Sequence, residues 1–348
     1  MKKKVVIIGG GFAGSHVAKH LDKHFDVTLV DTKDYFEFTP GILRTIVEPS
    51  HIRKLQVLHS HYLMWARVLV GKVKEIGRNY ILVGGRKVRF HYLVIASGSS
   101  YNLPFKEQKV VAVVRAKHLR NYYDRLCKAK NILIIGGGLV GIELAGEILW
   151  KYGKEKEVTI VHSGERLIAR NSKSAIDYAE KFLRKKGVKI ICNEKVVSYN
   201  GKRYVTDKGR EIETDLAFLC TGITPNYSFM EKNFSDSLNA KNQIKVNSYL
   251  QLKEQKNIFA IGDVGDRQEE KTAQNAENQA EIIVKNICAL DRDEKLTEYR
   301  TKPRALIISL GKNCAIFSSK SFVWGGFLPA LLKATIEKWE MMKKRRIL

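Results

Sequence analysis

Cysteine and proline are both scarce: the 348-residue chain holds five Cys and six Pro. Cys127, Cys192, Cys220, Cys288 and Cys314 lie at long intervals with no CxxC pair, which argues against a disulfide framework and against a structural zinc site, and no metal is expected. No apolar run approaches the ~20 residues that a spanning helix needs. The stretch Val5 to Ile8, behind the basic Met1 to Lys4, meets glycine too soon to act as a signal peptide. Low-complexity sequence is lacking too, and a hydrophobic content of 44% excludes a disordered chain. Acidic side chains are the remaining shortage. Against 61 Lys+Arg stand 36 Asp+Glu, a formal net charge of +25, so acidic polymers and anionic membranes are candidate partners. From Arg300 onward there are 11 basic residues and 2 acidic ones. The expectation is a protein of a reduced compartment, cytoplasmic, in water or held on a membrane surface.

The length exceeds that of one core, which predicts two domains. Lys4 to Ile8 reads as a buried parallel strand that stops at Gly9-Gly10-Gly11; Phe12 to His24 has helical spacing, and Val27 to Val30 is a second strand ending at Asp31. The same opening recurs later, with a strand at Asn131 to Ile135, a glycine turn at 136–141, a helix from Ile142 to Tyr152 and a strand at Val158 to Val161. Short strands fill residues 66–95 and 188–220 and close on Ala96-Ser97-Gly98 and on Thr221-Gly222.

A dinucleotide loop needs one glycine for the tight turn, a second for backbone approach to a pyrophosphate and a third for helix packing. Gly9, Gly11 and Gly14 stand in that context, with Gly10, Phe12 and Ala13 between them, and Asp31 is placed to accept both ribose hydroxyls. The helix N-terminus adds N–H groups and partial positive charge for phosphates. In the second loop Gly136, Gly138 and Gly141 enclose Leu139 and Val140, but the next strand ends on His162 rather than an acid. Without a carboxylate to repel it, a 2′-phosphate is tolerated, and Arg166 could attract one, so use of both NADH and NADPH is expected.

These openings, Ala96-Ser97-Gly98, Thr221-Gly222 and Ile258 to Asp263 resemble the two-dinucleotide-fold flavoprotein superfamily over essentially the whole chain. The resemblance implies an α/β fold of two Rossmann-like, glutathione-reductase-like domains. Residues 1–107 and 227–300 would hold non-covalent FAD, residues 108–226 NAD(P)H, and residues 301–348 a C-terminal segment with an amphipathic basic helix. It places Gly262 and Asp263 at the ribityl chain and adds Lys33 and Val73 to the FAD cradle. Residues 34–49 carry no Cys, so the thiol relay of the disulfide reductases is excluded. Phe38-Thr39-Pro40 and Thr272 to Glu281 instead resemble the type II NADH:quinone dehydrogenases, although Asn278 stands where their second glutamine falls. Val30 to Asp34, Leu43-Arg44 and Val158 to Ser163 are similar to the ferroptosis-suppressor, or apoptosis-inducing-factor-like, branch.

The resemblance aims the helix starting near Thr272 at the flavin, with Thr272, Ala273 and Gln274 in contact and its dipole stabilising the reduced ring. Arg44 would offset pyrophosphate charge, the alternative being a surface arginine. Glu143 and Glu147 share a helix face, either as early-helix carboxylates favoured by the dipole or near the nicotinamide, with Glu143 in proton supply. Tyr35, Phe36 and Phe38 would line the entry of a flat acceptor, unless they are plain core. Glu143, Gln274 and Phe38 are thus the catalytic candidates.

Leu328, Leu331, Leu332, Thr335, Ile336, Trp339 and Met342 recur at helical spacing among Lys333, Lys338 and Lys343 to Arg346. That pattern fits a helix lying on anionic lipid, or one packed on its own domain or across a homodimer. The expected activity is an FAD-dependent NAD(P)H dehydrogenase (quinone), peripheral on the inner membrane face or an organelle surface. Its rivals are sulfide:quinone reduction, if Cys127 and Cys314 converge, and non-specific nucleic-acid binding driven by +25, which no recognition motif supports.

Overall fold

A β-branched run flanked by glycine seeds each of two sheets. In the computed structural model, which describes residues 1–102, 104–106, 112–302, 305–319 and 322–345, six strands pair in the order Gln251–Leu252, Gln255–Ala260, Tyr92–Ile95, Lys4–Ile8, Asp26–Asp31, Arg67–Val70. All are parallel except the outermost hairpin. The period of two along Lys4–Ile8 divides the core: Val5 and Ile7 face the helices, while Val6 and Ile8 face the strand meander of residues 73–89. Both faces are covered, which is why the run is apolar throughout.

The longer helices are α1 (Phe12–Leu21), α2 (Ala112–Lys128), α3 (Leu139–Tyr152), α4 (Lys173–Lys185), α5 (Ala273–Asp291) and α6 (Phe327–Arg345). Helix α1 ends three residues before the expected His24, because the carboxylate of Asp22 accepts the N–H groups of Met64 and Trp65. α1 packs against α5, so the first glycine loop and the distant 273–291 segment share one layer.

A second, four-stranded parallel sheet runs Lys189–Ile191, Glu157–Val161, Asn131–Ile135, Leu216–Leu219. Ser99–Ser100 pairs with Thr224–Pro225 and ties the two sheets' connections together. The boundary expected at 107/108 and Arg346 lie outside the described residues. A three-stranded antiparallel sheet (Leu306–Ser309, Ala315–Ser318, Val323–Gly326) leads into α6. Among the described residues no helix is long and apolar enough to cross a membrane.

The polarity of α6 is the reverse of a core helix. Pro329, Ala330, Met341 and Lys344 are its buried residues, while Phe327, Leu328, Leu331, Leu332, Ile336, Trp339 and Met342 face outward. Phe322 and Trp324 extend that exposed apolar surface.

Candidate functional site

Each sheet delivers one glycine loop at the carboxyl end of its first strand. Gly9 has φ +97 and Gly136 φ +114, a left-handed backbone that a side chain would strain, and a Cβ on either would run into the Ala96 or Cys220 carbonyl behind it. At Gly11 and Gly138, the N-caps of α1 and α3, a Cβ would meet nothing within 4 Å. This open space at a helix N-terminus fits a dinucleotide diphosphate.

In the first loop the Gly10 N–H donates to Asp31 Oδ2 at 2.6 Å, and the Lys33 N–H donates to Oδ1 at 3.2 Å. Burial acts to raise the Asp31 pKa, but His59, Lys33 and the Gly10 amide together hold it below the usual carboxylate range. An ionised acceptor at this strand end suits ribose hydroxyls. The Lys33 ammonium lies 5.2 Å from the centre of the Tyr35 ring. Val73 is buried in the meander with Ile8 and Val30. Ala13 is buried in α1, and the Phe12 ring packs edge-on against Phe36 and Phe38 at 5.2 and 5.5 Å.

On the far side of the cradle, Ala96-Ser97-Gly98 is fastened by Ser97 Oγ donating to the Asn226 carbonyl and Asn226 Nδ2 donating back to Ser97 O. Asp263 Oδ2 accepts from Ser99 Oγ at 2.6 Å and from Lys106 Nζ at 3.1 Å. Burial opposes its charge, yet Lys106 and Ser99 bring the pKa below the ordinary value. Gly262 N–H donates to Gln279 Oε1 at 2.7 Å, locking the Gly-Asp turn to α5. Thr272 caps that helix through Asn275 N–H, Ala273 opens it half-buried, and Gln274 is exposed.

The second loop repeats the first with a neutral acceptor, since Gly137 N–H donates to His162 Nδ1 at 3.2 Å. Burial lowers the His162 pKa, and a nitrogen that accepts from an amide must be unprotonated, so a neutral imidazole stands where Asp31 stands in the first loop. Leu139 and Val140 are half-buried at the start of α3; Thr221 and Gly222 are exposed, and Thr221 Oγ1 accepts from Asn102 Nδ2 at 3.3 Å. Arg166 is the residue that could attract a 2′-phosphate. Its guanidinium is instead taken by Asp177 at 2.7 Å and Glu180 at 3.0 Å.

A charged cleft is walled by Pro40, Leu43, Arg44, Glu143, Glu147 and Lys333, from the 39–46 turns, α3 and α6. Arg44 meets Glu147 through two nitrogens at 3.0 and 3.2 Å. Burial works against its charge, but Glu147 raises its pKa. Glu143 Oε1 accepts from Lys333 Nζ of α6 at 2.7 Å and from Ser309 N–H at 2.8 Å. Beside them His51 Nε2 lies 2.9 Å from Glu337 Oε1. The helical spacing of Glu143 and Glu147 thus brings two carboxylates to one cleft, while their partners come from segments 103 to 190 residues away.

Tyr35, Phe36 and Phe38 are core rings, all at most 6% exposed, rather than the lining of an entry. Cys127 and Cys314 do not converge: the first approaches Tyr152 Oη at 3.5 Å and the second Tyr178 Oη at 3.8 Å. Burial also pushes the Cys314 thiol above its usual pKa, the opposite of a primed nucleophile. Lys106, Gln279 and Ser309 escaped the sequence reading, which named Lys333 only as positive charge on the final helix and not as a partner of Glu143. For Lys333 the signal was its place on the charged face of α6; for the others no local pattern marks them.

Residues 3–280 match the family described as Pyridine nucleotide-disulphide oxidoreductase. The apoptosis-inducing factor homolog B of Dictyostelium discoideum is 34% identical over 96% of this chain and 94% of its own. The human ferroptosis suppressor protein 1 is 30% identical over 98% and 96%. Among solved structures, the sulfide:quinone oxidoreductase of Aquifex aeolicus superposes with a TM-score of 0.84 at 20% identity, covering 99% of this chain and 91% of that one. The NDH2 of Plasmodium falciparum in complex with NADH gives 0.82 at 15% identity, covering 99% and 98%. Both likenesses concern the fold.

Proposed function

Because this chain belongs to the pyridine nucleotide-disulphide oxidoreductase family, we propose that it is an FAD-dependent NAD(P)H:quinone oxidoreductase that works without a redox disulfide. One observation carries the reading: two glycine loops of the same construction, each with an amide bonded to the residue ending the next strand, one ionised and one neutral. Residues 1–107 and 227–300 hold FAD, and residues 108–226 hold the nicotinamide nucleotide. FAD, when bound, accepts a hydride from the nicotinamide and delivers two electrons to a quinone.

The chain's own residues bind, orient and supply protons. Gly11 and the α1 N-terminus leave room for the FAD diphosphate, Asp31 accepts from its ribose, and Asp263 accepts from its ribityl hydroxyls while Lys106 balances the charge. Thr272 and Ala273 direct the positive end of α5 at the ring. Quinone reduction consumes protons. Glu143, gripped by Lys333, is the group that hands them on, and the Arg44–Glu147 pair keeps the cleft wall in place.

The acceptor arrives from a membrane. The outward face of α6 is apolar where a free helix would be polar, and Lys338 and Lys343 flank it, which suits a peripheral seat on anionic lipid. Lys333 points from the other face of the same helix into the cleft. Sulfide:quinone chemistry is the weaker alternative, since Cys127 and Cys314 keep separate tyrosine neighbours.

The test is optical. Under argon, NADH or NADPH should bleach the yellow absorbance of the purified protein, and a short-chain quinone should restore it. A colourless preparation that FAD cannot reconstitute would overturn the reading; bleaching by sulfide with quinone and no nicotinamide would favour the alternative.

A further inference from the structure

Lys344, in the last turn of α6, is only 6% exposed, an unusual setting for a lysine in a chain with a large basic surplus. Its ammonium donates to Ser15 Oγ of α1 at 2.8 Å and lies 5.0 and 5.8 Å from the centres of the Phe36 and Tyr62 rings. Burial lowers its pKa, against the pull of Glu277 and Glu340. Three outer bonds help to hold the same turn: Lys19 Nζ donates to the Lys343 carbonyl at 3.0 Å, and Arg345 donates to the carbonyls of Arg53 and Lys54.

The buried polar contacts do not stop at Ser15. Its hydroxyl, which donates to the Phe12 carbonyl at 3.3 Å, also lies near enough to the Tyr62 phenol to act on its ionisation. Tyr62 Oη lies 2.6 Å from His59 Nδ1, and His59 Nε2 lies 3.5 Å from Asp31 Oδ2. Burial pushes the Tyr62 phenol far above its usual pKa, and because the Asp31 carboxylate faces Nε2, the phenol is the donor to Nδ1. The His59 proton then sits on Nε2, facing Asp31. His59 has no exposed surface, and its Nε2 makes no hydrogen bond among the described residues, so the Asp31 carboxylate at 3.5 Å is the charged group it faces. In a medium of low dielectric such a chain acts as a unit, and breaking one link is felt at both ends.

We propose that Lys344 is a positioning residue for FAD: through Ser15, Tyr62 and His59 it holds the Asp31 carboxylate in its ribose-accepting orientation, so that FAD binding and the seating of the last turn of α6 favour each other. The inference rests on the reading that Asp31 contacts FAD. Coupling of this kind is reciprocal: whatever factor the seated turn adds to FAD affinity, bound FAD adds to the seating.

The experiment compares wild type, Lys344→Met and Tyr62→Phe in the full chain, with two measurements. One is the dissociation constant of FAD from titration of the apoprotein; the other is amide hydrogen exchange over residues 339–345 with and without FAD. Expected are slower exchange in the FAD-loaded wild type and, in both variants, FAD binding weakened by about 5- to 150-fold, the usual range of coupling. Tyr62→Phe keeps the ring beside Lys344, so its effect isolates the chain and stands even where Lys344→Met fails to fold. Faster exchange in Lys344→Met with FAD affinity unchanged in both variants would make Lys344 a structural anchor only and overturn the proposal. A wild type that does not bind FAD overturns the underlying reading instead, and the two failures are distinguishable.

Discussion

Replacing His162 by Asp sets the two nucleotide loops against each other. The Gly10 amide meets a carboxylate at 2.6 Å and the Gly137 amide meets an imidazole nitrogen at 3.2 Å, in equivalent places. An Asp at 162 would put a negative charge where Asp31 carries one. A 2′-phosphate about 4 Å away would then meet a repulsion of roughly 4 kcal/mol per pair of unit charges at an effective dielectric near 20. Because His162 is half-buried, solvent and salt screen part of this. About 2–4 kcal/mol remains, or roughly 30- to 1000-fold in NADPH affinity. The assay is the initial rate of quinone reduction with each nucleotide at low ionic strength. His162→Asp should lose that factor in kcat/KM for NADPH while NADH changes by no more than about threefold, and His162→Asn should leave the ratio alone. Arg166→Ala should also leave it alone, since Asp177 and Glu180 already occupy that guanidinium. A wild-type preference for NADH already as large as the expected change would refute the reasoning, as would equal losses for both nucleotides.

Glu143→Gln and Lys333→Met remove the two ends of one 2.7 Å contact, and each should slow steady-state quinone reduction by about 100-fold, the scale of one acid–base group. Anaerobic bleaching by NADH should be unchanged in both, and equal slowing of the two half-reactions would place the pair on the nicotinamide side instead. Leu331→Asp with Trp339→Asp should abolish flotation with anionic vesicles and shift stability by no more than about 0.5 kcal/mol per site, because these side chains are 52% and 57% exposed; undiminished flotation counts against the lipid seat. Asp31 and Asp263 have depressed pKa values in the fold, so their stabilising contribution is complete above the unfolded value near ~4 and is lost as pH falls through the folded ones. Flavin release and a falling melting temperature below about pH 4 are therefore expected, and a flavin complex indifferent to acid would refute that assignment.

The openings of both nucleotide loops were legible because their determinants are local. A β-branched run, glycines at φ values that other residues avoid, and a helix start all lie within a few residues of one another, as at Lys4 to Gly14 and Asn131 to Gly141. The amphipathic spacing of the final helix was legible for the same reason. Which of its faces turns inward was not, since Lys344 is buried and Trp339 exposed only because Ser15, Phe36 and Tyr62 are brought beneath it from the other end of the chain. Likewise nothing near Arg44 announced Glu147, nothing near Asp263 announced Lys106, and the tie of Arg166 to Glu180 needed α4 folded back on its loop. Backbone conformation and hydrophobic period are properties of neighbouring residues and can be read along the chain. The pairing of charges is decided by whichever groups folding packs together away from water, and that belongs to the tertiary structure alone.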